Sequence, residues 1–156
     1  GILASEAALV PEPIQSLQWT TTDILPPPDD RFDIDALVKQ IEDPTQSPVS
    51  RNRPAYTVSY TSRFNKQIPI TLSALHVNQT SLLHLPSESF VEYQLRAQGS
   101  APNRFVACAA YGDGGPWYVP TKDAYPQGGY AVSVAWCDPQ IDTLLSGGVA
   151  KLLETV

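Results

Sequence analysis

Between Leu83 and Trp136 two strand-like apolar runs each break off into a polar, Gly/Pro-rich turn: LHLPSESFVEYQL, then RFVACAAYGDGGPWYVPTKDAYPQGGYAVSVAW. This punctuation restricts the fold more than any other feature, because strand runs that stop short and hand over to helix-start signals must alternate with helices in space. It also puts Glu88 and the tyrosines Tyr111, Tyr118, Tyr125 and Tyr130 at element ends, where chemistry is usually mounted.

The rest of the chain fits the same alternation. Residues 1–13 read as a loose lead-in. Ile14 to Leu25, rich in Thr, Ile and Trp, reads as a strand stopped by Pro26-Pro27-Pro28. Asp33 is placed to cap a helix whose stripe is Ile34, Leu37, Val38 and Ile41, ended by Pro44 and Pro48. Residues 45–54 predict a surface loop, and the alternation Tyr56, Val58, Tyr60 predicts a strand. Ile68–Val77 and Ser81–Leu85 predict a hairpin joined at Asn78-Gln79. Ser89 and Glu92 have capping-box spacing, so a helix is expected from Ser89 to about Gln98, with Gly99 just past its end. Glu88 then lies at the carboxyl end of a strand and the mouth of a helix, where open sheets bind ligands. Arg104–Tyr111 reads as a strand, and Gly112 to Gly129, with five glycines and three prolines, as a long ordered loop. Asp138 and Pro139 open a last helix, whose apolar stripe from Ile141 to Leu153 runs through Gly147-Gly148 at about 1 kcal/mol per glycine relative to Ala. The expected fold is a single α/β or α+β domain, a mixed β-sheet with flanking helices.

At 156 residues the chain can bury one core. A net charge of −6 with ten scattered Lys and Arg excludes the basic stripe of a nucleic-acid binder. No apolar run approaches the ~18 residues of a transmembrane helix. The absence of methionine implies that the chain is not a complete translation product. Cys108 and Cys137 match no zinc motif and form no disulfide framework; Cys108, within FVACAAY, reads as a buried inert thiol, and a disulfide between the two stays open. His76 and His84 lie on neighbouring β runs where they can face each other, and with Glu88 they would offer a metal site, although satisfied structural histidines are the simpler reading. Glu88 itself is explained equally well as a helix-terminus carboxylate. The tyrosines of the Gly/Pro-rich loop are explained as aromatics packed over turns.

LHLPSESFVEYQLRAQ followed by RFVACAAYGDGGPWYVPTKDAYPQGGYA resembles the end of the catalytic domain in the neutral/alkaline non-lysosomal ceramidase family, particularly its bacterial members. The resemblance covers about Ile68 to Val156. It implies that residues 1–156 are the C-terminal portion of a larger catalytic domain, from a secreted or periplasmic zinc amidase that cleaves the fatty-acyl amide of ceramide or a related lipid. Leu85-Pro86-Ser87-Glu88 resembles the family's Pro-Gly-Glu turn and implies Glu88 as a zinc ligand. Tyr118-Val119-Pro120-Thr121 resembles its tyrosine segment and implies Tyr118 as the second. Asp123-Ala124-Tyr125 and Gln127-Gly128-Gly129-Tyr130 resemble the run that ends in the catalytic tyrosine, here Tyr130, whose hydroxyl would stabilise the oxyanion. Tyr111, Asp113, Trp117 and Tyr125 are the implied substrate-loop residues. Ser87 replaces glycine, Pro120 replaces threonine, and Ala131 stands where the family often has glutamate. The family's two zinc histidines belong to an N-terminal part that this chain lacks, and neither His76 nor His84 matches their motifs. The chain alone is therefore expected to hold no zinc and to be inert, its missing N-terminal part being its partner.

A different class competes: a non-catalytic domain whose loop aromatics (Trp117, Tyr118, Tyr125, Tyr130, Trp136) stack on a carbohydrate or peptide. A third reading keeps the family fold and loses the activity, with Ala131 as its sign. A piece of a larger domain also exposes the apolar surface on which its other half docks, a surface that suits a homodimer.

Overall fold

Residues 5–6, 9–112 and 114–154 are described by a computed structural model. Its main sheet has four strands in the order β1 (Leu17–Ile24), β2 (Ile70–Val77), β3 (Thr80–Pro86) and β5 (Phe105–Gly112). The β1–β2 and β2–β3 pairs are antiparallel, and β3–β5 is parallel. A parallel pair needs a crossover, which α3 (Val91–Ser100) supplies. The domain is α+β, a mixed sheet with flanking helices, as the alternation of runs implies.

The strand-period pattern decides which face is covered. Ile24, Ile70, Leu72, Leu83, Leu85 and Val106 point to one side, where they meet Tyr93 and Ala97 of α3 and Ile141, Leu145, Val149 and Leu152 of α5 (Gln140–Glu154). Full burial of such aliphatic side chains contributes about 2 kcal/mol each. Gly148 lets α5 lie close to the sheet, since a Cβ there would sit 2.5 Å from Leu72 Cδ1. On the opposite face Leu17, Trp19, Leu82 and Phe105 remain exposed. The β2–β3 turn carries Asn78 at φ +49, and its side chain binds the lead-in by accepting from Gln15 and Ser16 N–H and donating to Pro13 O.

Four expectations are corrected. Residues 45–54 and Tyr56–Tyr60 are not a loop and a strand: α2 spans Pro48–Asn65. Pro48 falls in the first turn, where its missing N–H costs nothing, and Ser47 caps by accepting from Ser50 N–H. Pro54 removes the partner of the Ser50 carbonyl, which Gln40 Nε2 of α1 (Ile34–Glu42) replaces at 2.9 Å. The α3 helix starts at Val91 with Phe90 as an N-cap lacking a side-chain bond, because the backbone of Ser89 is engaged in β4 (Glu88–Ser89). Gly99 lies inside the last turn of that helix. His76 and His84 do not face each other: the register pairs His76 with Ser81 and His84 with Ser73, which puts the two imidazoles on opposite faces. His76 is buried between Thr20 Oγ1 and Ser81 Oγ, at 3.0 and 2.9 Å. Within 112–129 the expected loop contains a short strand, β6 (Tyr118–Val119), and a 3₁₀ turn at Lys122–Gln127. Asp33 does cap α1, accepting from Ala36 N–H. Cys108 and Cys137 are both free thiols, with burial pushing Cys108 up to about 11 and Cys137 up to about 12.

Candidate functional site

The residues singled out by the sequence converge where the second, two-stranded sheet is tied to the first. Glu88 and Ser89 of β4 pair in parallel with Tyr118 and Val119 of β6. Glu88 N–H donates to Trp117 O at 2.8 Å, and Phe90 N–H to Val119 O at 3.1 Å. Tyr111 N–H donates to Ser87 O at 2.6 Å. The turn after β3 is thus laced between the end of β5 and the start of β6, which fixes Glu88 opposite Tyr118.

The facing Glu88 carboxylate, through hydrogen bonding first, with burial and the carboxylate charge adding less, pushes the Tyr118 phenol up to about 12. Tyr130 packs edge-on against Tyr118 at 5.7 Å. It is the first residue of α4 (Tyr130–Val134), reached through Gly128 and Gly129 at φ +72 and +91. One carboxylate and two phenols thereby share a corner.

Beside them runs a cleft of about 400 Å³ lined by Tyr56, Ser87, Glu88, Tyr111, Trp117 and Trp136. Three of its residues hold left-handed backbone without being glycine: Ser87 at φ +58, Tyr111 at +63 and Trp117 at +56. Such conformations cost roughly 1–3 kcal/mol each and cluster at functional sites. The Ser87 hydroxyl is buried and has no hydrogen-bond partner. Gly115 lies against it, and a Cβ there would come within 1.8 Å of Oγ.

The cleft owes its rings to several elements. Tyr56 of α2 stacks on Trp136 at 5.9 Å, and Trp117 stands edge-on to both at 5.7 and 5.4 Å. Trp136 is held by its carbonyl, which accepts from Asp29 N–H, while Asp138 N–H donates to Pro27 O. Arg31 donates to the Val132 and Ala135 carbonyls and fixes the end of α4. Tyr60 anchors α2 by donating to Pro26 O. On the other side of Trp117 and Trp136 is an apolar depression of about 320 Å³, lined also by Phe32, Leu37, Val134 and Tyr130.

Among the implied substrate-loop residues, Tyr111 and Trp117 line the cleft. Tyr125 stands apart, its hydroxyl donating to Cys137 O at 2.8 Å and its pKa raised by burial. Asp113 lies outside the described residues. Tyr56 belongs to the cleft and was missed because its segment reads as a strand. The left-handed backbone at Ser87, Tyr111 and Trp117 has no signal in the side chains that carry it.

As a zinc site the set is half complete. Glu88 and Tyr118 offer two oxygen ligands, and zinc takes four, usually with nitrogen or sulfur among them. Among the described residues no group of three or more His, Cys, Asp and Glu is placed to hold a metal.

No protein-family model and no curated protein matches the sequence. Among solved structures, the chain shares its fold with part of a ceramidase. The particular structure is neutral ceramidase from Pseudomonas aeruginosa, aligned over 90% of this chain with a TM-score of 0.54 at 16% identity. The chain spans 29% of that enzyme's length. A ceramidase complexed with C2 aligns over 56% of this chain and 15% of its own, at 18% identity and a TM-score of 0.48.

Proposed function

We propose that this chain is the C-terminal portion of a ceramidase-like amidohydrolase, contributing Glu88 and Tyr118 as two zinc ligands and Tyr130 as the donor to the reacting carbonyl of a lipid amide. The observation that carries the reading is the convergence of Glu88, Tyr118 and Tyr130 at one corner of a ceramidase-like fold. Zinc, when held by these oxygens together with imidazoles from a preceding segment, polarises a water and lowers its pKa toward 7.

This chain's own residues then act on the substrate. Glu88 and Tyr118, paired across β4 and β6, would hold the ion through a carboxylate and a phenol oxygen. The Tyr130 hydroxyl, on a ring 68% exposed, is free to donate to a developing oxyanion. The apolar depression beside Tyr130 offers a hydrocarbon chain a wall of Phe32, Leu37 and Val134. With neither His76 nor His84 at this corner, the chain by itself is inert toward amides.

The test compares zinc content and hydrolysis of a fluorescent short-chain ceramide between this chain and the full-length gene product. Zinc and turnover in the full-length protein alone, both abolished by Glu88→Ala, are expected. If the full-length protein holds no zinc, the reading is refuted.

A further inference from the structure

The depression between α1, α2 and α4 carries more than an apolar wall. Its volume of about 320 Å³ is at the lower end of ligand pockets, and Phe32, Leu37, Pro54 and Val134 supply hydrocarbon to its lining. Arg53 and Thr57 of α2 line the same depression. They stand four residues apart and are therefore neighbours on one helix face, a guanidinium beside a hydroxyl. Among the described residues neither side chain makes a hydrogen bond or an ion pair, although Thr57 is only 6% exposed. Other polar groups of the lining are already engaged: Gln40 Nε2 donates to Ser50 O at 2.9 Å and Ser133 Oγ to Tyr130 O at 2.7 Å. No Asp or Glu lines the depression. The nearby guanidinium of Arg31, over the Phe32 ring, is paired with Asp29 and donates to the Val132 and Ala135 carbonyls. A protein of net charge −6 thus keeps an uncompensated cation, with a second donor beside it, at the side of an apolar pocket. A guanidinium matches the two oxygens of a carboxylate, and hydrocarbon attached to that carboxylate is drawn onto the apolar wall.

We propose that this depression is a binding site for an amphiphilic carboxylate, with the head on Arg53 and Thr57 and the hydrocarbon chain along Phe32, Leu37 and Val134. Binding needs neither zinc nor a hydrolysable bond, so the site stands whether or not the amide reading holds. A free fatty acid and an N-acyl amino acid share the required chemistry. Either ligand lies against Trp117 and Trp136, which also line the depression and whose emission reports its arrival.

The experiment is a fluorescence titration of this chain with octanoate, octanol and acetate. Octanoate is expected to saturate the signal, octanol to bind about 5-fold or more weakly for want of a charge, and acetate not to bind for want of a chain. Arg53→Gln, at an exposed residue without a partner, is expected to weaken octanoate about 5-fold and leave octanol unchanged, with the melting temperature of the parent. Thr57→Val, which removes an unbonded hydroxyl, is expected to weaken octanoate about 3-fold. N-octanoylglycine titrated in parallel separates the two sources: the tighter binder names the ligand, and either order supports the site. Absence of saturable octanoate binding, equal binding of octanol, or unchanged octanoate binding in either variant overturns the proposal. Failure here with zinc-dependent amide hydrolysis intact in the full-length protein removes this site alone. Octanoate binding in a full-length protein that holds no zinc removes the amide reading alone.

Discussion

Replacing Ser87 by glycine should make the protein more stable, an unusual expectation for a residue only 8% exposed. Two costs coincide there. The backbone sits at φ +58, which disfavours an L-residue by about 1 kcal/mol. The hydroxyl is buried without a partner, a desolvation cost of about 1–3 kcal/mol. Glycine removes both. Against this stand the extra freedom of glycine in the unfolded chain, about 0.5–1 kcal/mol, and the void left beside Gly115, about 1 kcal/mol. The net is a gain of about 1 kcal/mol, or roughly 2–4 °C in melting temperature for a chain of this size. Ser87→Ala separates the two causes, because it keeps the strained φ and deletes the hydroxyl; it should melt between the parent and Ser87→Gly. Calorimetry or denaturant melts of the three proteins side by side give the answer. If both variants melt at or below the parent, the hydroxyl has a partner and the left-handed turn carries no strain, and the argument that the cleft is held at a conformational cost is wrong.

The two adjacent glycines of α5 should respond to alanine with opposite signs. Gly147→Ala meets nothing within 4 Å and should stabilise by about 1 kcal/mol through helix propensity, whereas Gly148→Ala drives a Cβ to 2.5 Å from Leu72 Cδ1 and should cost about 1–3 kcal/mol of overpacking, read by chemical denaturation. For His76, burial first and the Arg104 charge second lower the imidazole pKa, so the unfolded chain binds more protons than the folded one near its ordinary value of about 6.5. Stability that is full above that value is therefore lost as pH falls through the folded pKa, and an NMR titration of the His76 ring should place its midpoint below 6.5. A midpoint at or above 6.5 would show that the Thr20 and Ser81 contacts favour the charged ring.

Strands separated by tight turns were readable because their evidence is local. Ile24, Ile70, Leu72, Leu83, Leu85 and Val106 follow the period of two that their burial demands, and Asp33 signals its helix by a single side-chain bond. The α2 helix was unreadable for the converse reason. Its two prolines and the Tyr-x-Val-x-Tyr alternation argue locally for a loop and a strand, and what overrides them is distant in sequence: the Gln40 amide that satisfies Ser50, and Pro26, whose carbonyl receives the Tyr60 hydroxyl. The corner of Glu88, Tyr118 and Tyr130 divides the same way. Each residue was visible at an element end, but the distance between them is set by the backbone hydrogen bonds of Ser87 and Glu88 to Tyr111 and Trp117, which no side-chain pattern encodes. Tyr56 reaches the cleft only because α2 is a helix, and Tyr60, tilted against Trp136 at 6.1 Å, anchors that helix to Pro26 O, so Tyr60→Phe is expected to shift the tryptophan emission. The aromatic wall and the helix that local reasoning missed are therefore one structural unit, joined through Tyr56 and Tyr60 to Trp136.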